Sequence, residues 1–244
     1  MRLSVAAALK TTWVFGARHF PAFYLLCILS SLPYLAYGFL QWPEWQMSFA
    51  VKTSEILIDC LIIAVMSAAL DRDRRGEVRT VLPSLSDTIE RSATVLSVSI
   101  VTTAVVMGIV ALDNPLFKLH PRAPIALQIA YFILVVLFCM AIPCAIRENG
   151  GATDCFKRSL ALSSGSRLRI VAAFLLAMIP GGIAWTALVL YGPELQVDVL
   201  WEVWTFLVVP AFSVFLLALP AVIHSSLAGS DGSVLFGETA AVFD

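Results

Sequence analysis

Residues 143–169 read PCAIRENGGATDCFKRSLALSSGSRLR and carry seven charges in a chain that is only 14% charged. Gly150-Gly151 supplies a turn, and Thr153 or Asp154 is placed to cap the helix that follows. Ala152, Cys155, Phe156, Ser159, Leu160 and Ser163 fall on one small or apolar face of that helix. Asp154, Lys157, Arg158 and Ala161 fall on the other. Long apolar runs flank the stretch on both sides. The pattern predicts a helix lying along a membrane surface between two spans, its basic residues at the level of lipid phosphates. Glu148 is spaced to pair with one of the nearby arginines or to cap the helix.

Outward from there, the chain is dominated by apolar runs. Of its 244 residues 59% are hydrophobic, and the mean hydropathy of +0.88 lies outside the range of soluble domains. Six runs of about twenty residues are each long enough for the hydrocarbon core. They cover residues 20–40, 50–70, 93–112, 125–146, 170–191 and 203–224. The expected fold is therefore all-α, a polytopic transmembrane bundle of six spans over residues 1–228, followed by a flexible cytoplasmic tail, 229–244. Further short amphipathic segments are expected at 2–16 and at 84–92. The five cysteines show no CxxC spacing and four lie inside apolar runs, which supports neither a disulfide framework nor a zinc site. No metal and no cofactor are expected.

Thirteen of the sixteen basic residues fall in three places: before the first run, between the second and third, and between the fourth and fifth. Only Lys52, Lys118 and Arg122 lie elsewhere. By the positive-inside rule both termini are cytoplasmic. Basic residues held against a membrane leave nucleic acid an unsuitable partner. Membrane lipids, a membrane protein or a second copy of the chain suit them better.

Two stretches within the spans carry polar chemistry. Eleven residues separate Asp59 from the charged cluster that begins at Asp71, roughly 17 Å of helix against a core of about 30 Å. That puts Asp59 near mid-membrane, with Glu55 and Lys52 on the same face, and an intramembrane carboxylate marks a candidate polar site. The alternative is a tilted helix that leaves Asp59 in a wet outer vestibule, paired with Lys52. Pro180-Gly181-Gly182, in the middle of the fifth run, predicts a break or bend. Such a break lines a substrate site in some transporters and is a packing kink in others. His224 is expected at the inner boundary, solvated or capping.

A short segment with a basic-hydroxyl pair precedes a pair of runs three times: Lys10-Thr11, Arg91-Ser92 and Arg158-Ser159. A threefold repeat of helical hairpins is the architecture this implies.

The order Pro143, Glu148, Gly151, Arg158-Ser159, Leu162, Gly165 resembles the inner loop of the bacterial membrane-domain family named after glycerophosphoryl diester phosphodiesterase. The arginine-and-glycine loop at 72–76 and the amphipathic start add to the resemblance. It implies a six-span helical membrane domain, fused in some members to the phosphodiesterase. The enzyme's own motifs are missing here: His19 is followed by Phe, His120 by Pro and His224 by Ser, and no length remains for a barrel of about 250 residues. No HExxH or GxSxG is present either. The expectation is a non-enzymatic integral membrane protein that contacts anionic lipid or a membrane partner through Glu148, Lys157, Arg158, Ser159, Arg167 and Arg169. The alternative is a small transporter, or a subunit of one, using Glu55, Asp59 and a broken fifth helix.

Overall fold

A computed structural model describes residues 3–39, 44–77, 81–119, 129, 132–134, 138–148, 150–191 and 204–228. The described residues are helical, without a strand. In chain order they form α1 (Val5–Arg18), α2 (Phe20–Phe39), α3 (Glu44–Arg74), α4 (Val81–Glu90) and α5 (Ser92–Leu119). Then come α6 (Ala141–Arg147), α7 (Ala152–Ser163), α8 (Arg167–Tyr191), a π turn (Trp204–Val208) and α9 (Val209–Ala228).

Among the described residues four helices are long and apolar enough to cross a membrane: Ala50–Arg74, Ser92–Ile109, Arg167–Ala184 and Val209–Ala228. Val5–Arg18 and Phe20–Pro33 meet at a 91° bend and qualify as a fifth only when taken together. The span expected at 125–146 falls largely outside the described residues, as does the tail 229–244.

The centre of the bundle is α3. From Cys60 to Leu70 it is buried on nearly every side, as an all-round apolar helix must be when it is surrounded by protein. Ile62, Val65, Met66, Ala69 and Leu70 join a core with Phe15, Phe23, Ile170 and Leu219 from α1, α2, α8 and α9. Cys60, Ala64 and Ala68 recur every four residues on another side and pack against Val95 and Val98 of α5 and Ala141 to Ile146 of α6. Such a stripe of small side chains lets helices approach closely.

The three short helices α1, α4 and α7 each precede a long one, as the repeat implies. Each buries small residues one turn apart: Ala8, Thr12 and Gly16; Ser84 and Thr88; Cys155, Ser159 and Ser163. The basic-hydroxyl pairs, however, are not equivalent. Lys10-Thr11 and Arg158-Ser159 lie inside helices, whereas Arg91-Ser92 is the junction between α4 and α5. On α1, Gly16 lies tight against α9: a Cβ there would meet the Phe215 ring at 2.8 Å.

Two expectations of local structure change. The fifth apolar run is not broken, for α8 continues as one helix through Pro180-Gly181-Gly182. A proline inside a membrane helix removes one N–H, and neighbouring groups re-satisfy the freed carbonyl without ending the helix. The cap of α7 is Gly151; Asp154 lies in the first turn and accepts from the Gly151 N–H at 3.3 Å, while Thr153 is an ordinary helical residue. That return contact suits a carboxylate, which also gains from the helix N-terminus.

Candidate functional site at the basic end of the bundle

The last turn of α3 reads Asp71-Arg72-Asp73-Arg74, and three consecutive side chains reach three different elements. Successive residues of a helix point about 100° apart, so a run of alternating charge fans around the axis. Asp71 accepts from Nε of Arg147 at 2.8 Å and from its Nη2, a two-point clamp that ties α6 to α3. Arg72 donates Nε and Nη2 to Asp87 of α4 at 2.8 and 2.7 Å, and Nη1 to Glu77 at 2.7 Å. Asp73 accepts from Nη1 of Arg18 at 2.8 Å and lies 3.3 Å from Nε2 of His19, which fastens the α1–α2 bend. Forked pairing of guanidinium with carboxylate fixes orientation as well as distance.

The helix is closed by Gly76. Its φ of +77° allows Glu77 N–H to reach the Arg72 carbonyl at 3.1 Å and Gly76 N–H to reach that of Asp73 at 3.0 Å. This paired closure needs a left-handed residue, which glycine supplies without strain.

Arg72 holds the Asp87 carboxyl below the usual carboxylate range, chiefly through its hydrogen bonds. Burial pushes the Cys155 thiol up, and Glu148 and Asp154 add to the effect.

The residues expected to form the binding face divide into two groups. Lys157 and Arg167 are exposed. Beside Arg167, Leu168 is 85% exposed, a large apolar side chain set among cations. Arg158 is half-buried and its Nε lies 3.3 Å from Glu148 Oε1, which realises the pairing foreseen for Glu148. Ser159 is 0% exposed and belongs to the interior of α7, not to a binding surface, because the short helix packs on its small side chains. Arg169 is also used internally. It donates to the Leu3 carbonyl at 2.9 Å, and Ser166 Oγ accepts from Leu3 N–H at 3.3 Å, clipping the start of the chain to the α7–α8 junction.

On α4 apolar residues lie on two sides, Val81 and Leu85 packed against the core and others turned outward. Ser84 and Thr88 face the protein, while Leu82 and Ile89, seven residues apart and on one face, are 79% and 70% exposed. Thr88 is satisfied inside the helix by the Ser84 carbonyl at 2.8 Å. Two large apolar side chains on an outward face suit an apolar environment there.

His224 is not at a solvated boundary. It is 1% exposed, because α9 runs four residues further to Ala228 and carries it into the packed end of the bundle. Its Nδ1 lies 3.2 Å from Nη1 of Arg147, and its Nε2 lies 3.5 Å from Glu148 Oε1. Guanidinium only donates, so Nδ1 is the acceptor and Nε2 carries the ring proton. Cys144, Glu148 and His224 bring ligand-type atoms within 4.8 Å of one another, the spacing of a metal site. The sequence offers one faint signal of this group: Cys144 and Glu148 are four apart, hence on one helix face.

Asp59 stands apart from all this. It is half-buried, near Ser30 of α2, whose hydroxyl donates to the Cys27 carbonyl at 2.7 Å, and Glu55 lies one turn away. Among the described residues no ion pair joins it to Lys52, so the expected vestibule pairing is not formed. Residues seven apart on a helix are about 10 Å apart along the axis, more than the two side chains close here.

No family model, curated protein or solved structure matches the chain.

Proposed function

We propose that this chain is a multi-pass module of the bacterial inner membrane, six-spanning, with both termini cytoplasmic. It is non-enzymatic and uses its basic face to contact anionic lipid. The observation that carries the reading is the outward side of the short helices. Leu82 and Ile89 of α4, and Leu168 next to Arg167, present large apolar side chains at the same end of the bundle as exposed Lys157 and Arg167. Apolar anchors beside cations suit the headgroup boundary of an anionic leaflet, where each nearby cation contributes about 1 kcal/mol. The contact set narrows to Lys157 and Arg167, since Arg158 is paired with Glu148 and Arg169 with the chain start. We assign the chain, on its Pro143 to Gly165 residues, to the membrane-domain family it resembles.

The transporter reading keeps the half-buried Asp59 but loses the helix break it relied on. Native mass spectrometry of the detergent-released protein tests the lipid contact. Lys157→Gln with Arg167→Gln should lower retention of phosphatidylglycerol relative to wild type; equal retention would count against it.

A further inference from the structure

A cavity of about 600 Å³ opens at the basic end among Arg72, Arg75, Arg91, Arg147, Glu148 and His224. A second of about 440 Å³ shares Arg91 and Glu148 with it and reaches Gly150 and Gly151. Most carboxylates along the larger cavity are already engaged. Asp71 is clamped by Arg147, Asp87 by Arg72, and Glu148 by Arg158. Glu90 is exposed.

Two sets of donors are left over. Arg91 donates Nη1 to the Glu148 carbonyl at 3.2 Å, and among the described residues its Nε and Nη2 make no hydrogen bond. The proton on Nε2 of His224 is deeply buried and, among the described residues, has no hydrogen-bond partner. Glu148 Oε1, at 3.5 Å, is too far to serve. A buried donor without an acceptor is costly, so its persistence points to a ligand oxygen.

The same atoms decide between an anion and a metal cation. A metal on Nε2 would drive the ring proton to Nδ1, which faces an N–H of Arg147. The ion would also sit within the field of Arg147, Arg158 and Arg74. A negatively charged oxygen has neither difficulty.

We propose that this cavity binds a phosphate group, held by Arg91 and by the Nε2 proton of His224. The inference rests on the anionic-lipid reading above and deepens it, giving the chain a defined phosphate pocket behind the exposed basic rim. A tetrahedral phosphate can offer one pair of oxygens to a guanidinium fork and a third to an imidazole. The volume is in the range of small-molecule sites and accommodates a phosphomonoester or a lipid headgroup.

The test is titration of the full-length protein in a phosphate-free detergent micelle, followed by calorimetry. The probes are inorganic phosphate, glycerol 3-phosphate and short-chain phosphatidylglycerol. At least one probe should saturate the wild type, and Arg91→Gln and His224→Gln should each weaken it about tenfold or more, as expected for a lost charged or buried hydrogen bond. Saturation by the two soluble probes identifies a soluble phosphate as the ligand; saturation by the lipid alone identifies a headgroup. Either supports the pocket. Should Arg91→Gln not fold, Arg91→Lys keeps the charge, loses the fork and should still weaken binding. Lys157→Gln with Arg167→Gln should weaken the lipid probe only and leave the affinity for the two soluble probes unchanged, which separates failure of the rim from failure of the pocket. The proposal is overturned if no probe saturates the wild type, or if the Arg91 and His224 variants bind as the wild type does. Stoichiometric uptake of Zn²⁺ that Cys144→Ser abolishes would overturn it as well.

Discussion

Two acidic groups on α3 lie about three turns apart and have opposite surroundings. Asp71 and Asp73, at the basic end, are each met by an arginine from another helix. Asp59, in the apolar part, has Ser30 and the like-charged Glu55 for neighbours. The first pair joins elements that are far apart in sequence. Among the described residues no ion pair ties Asp59 to a cation, so it does not clamp one helix to another as the first pair does. Carboxylates on one helix therefore divide into architectural and non-architectural groups by what faces them, not by their depth along the helix.

The largest expected effect is loss of the Arg147 clamp. Arg147→Ala strands Asp71 and removes the donor to His224, and should cost about 3 kcal/mol in thermal unfolding in detergent. That is the low end for a broken buried pair, since Asp71 keeps 34% of its side-chain surface exposed. Replacing both partners by apolar residues of similar size should recover much of the loss. If Arg147→Ala were neutral, the clamp would not be architectural.

A smaller effect concerns acid. The folded-state pKa of Asp87 is depressed by Arg72, so its contribution is present above the unfolded value of about 3.9 and fades as pH falls through the lower folded value. Asp87→Asn should lose a little stability at neutral pH and show a flatter acid limb in a pH series. An unchanged acid limb would mean that the pair is screened away. Asp59→Asn should have the smallest effect, within about 0.5 kcal/mol, because the amide is nearly isosteric and among the described residues no cation loses a partner. A large loss would show that Asp59 belongs to the scaffold after all.

Much of this fold was legible because hydropathy and helical period are local. The amphipathic helix beginning at Ala152 follows from two glycines and a face of small residues, and the long helices follow from apolar runs. The pairing of Glu148 with Arg158 was legible for the same reason, ten residues apart. The hub at the end of α3 was not: its charges read simply as a topology signal. Arg147 meets Asp71 and His224 across 76 and 77 residues, and only the packing of α6 and α9 against α3 brings them together. Ser159 misled because a serine beside two cations looks solvated, whereas here its size is what matters. Pro180-Gly181-Gly182 does not end α8, because a proline removes a single N–H and the rest of the helical ladder carries on through it.

Sidedness of the basic end is the most direct test of the account. Lys157→Cys, in a chain whose own cysteines are replaced by serine or alanine, should react with a membrane-impermeant maleimide only after the inner membrane is permeabilised. Labelling in intact spheroplasts would put the basic end on the outer face and contradict the account.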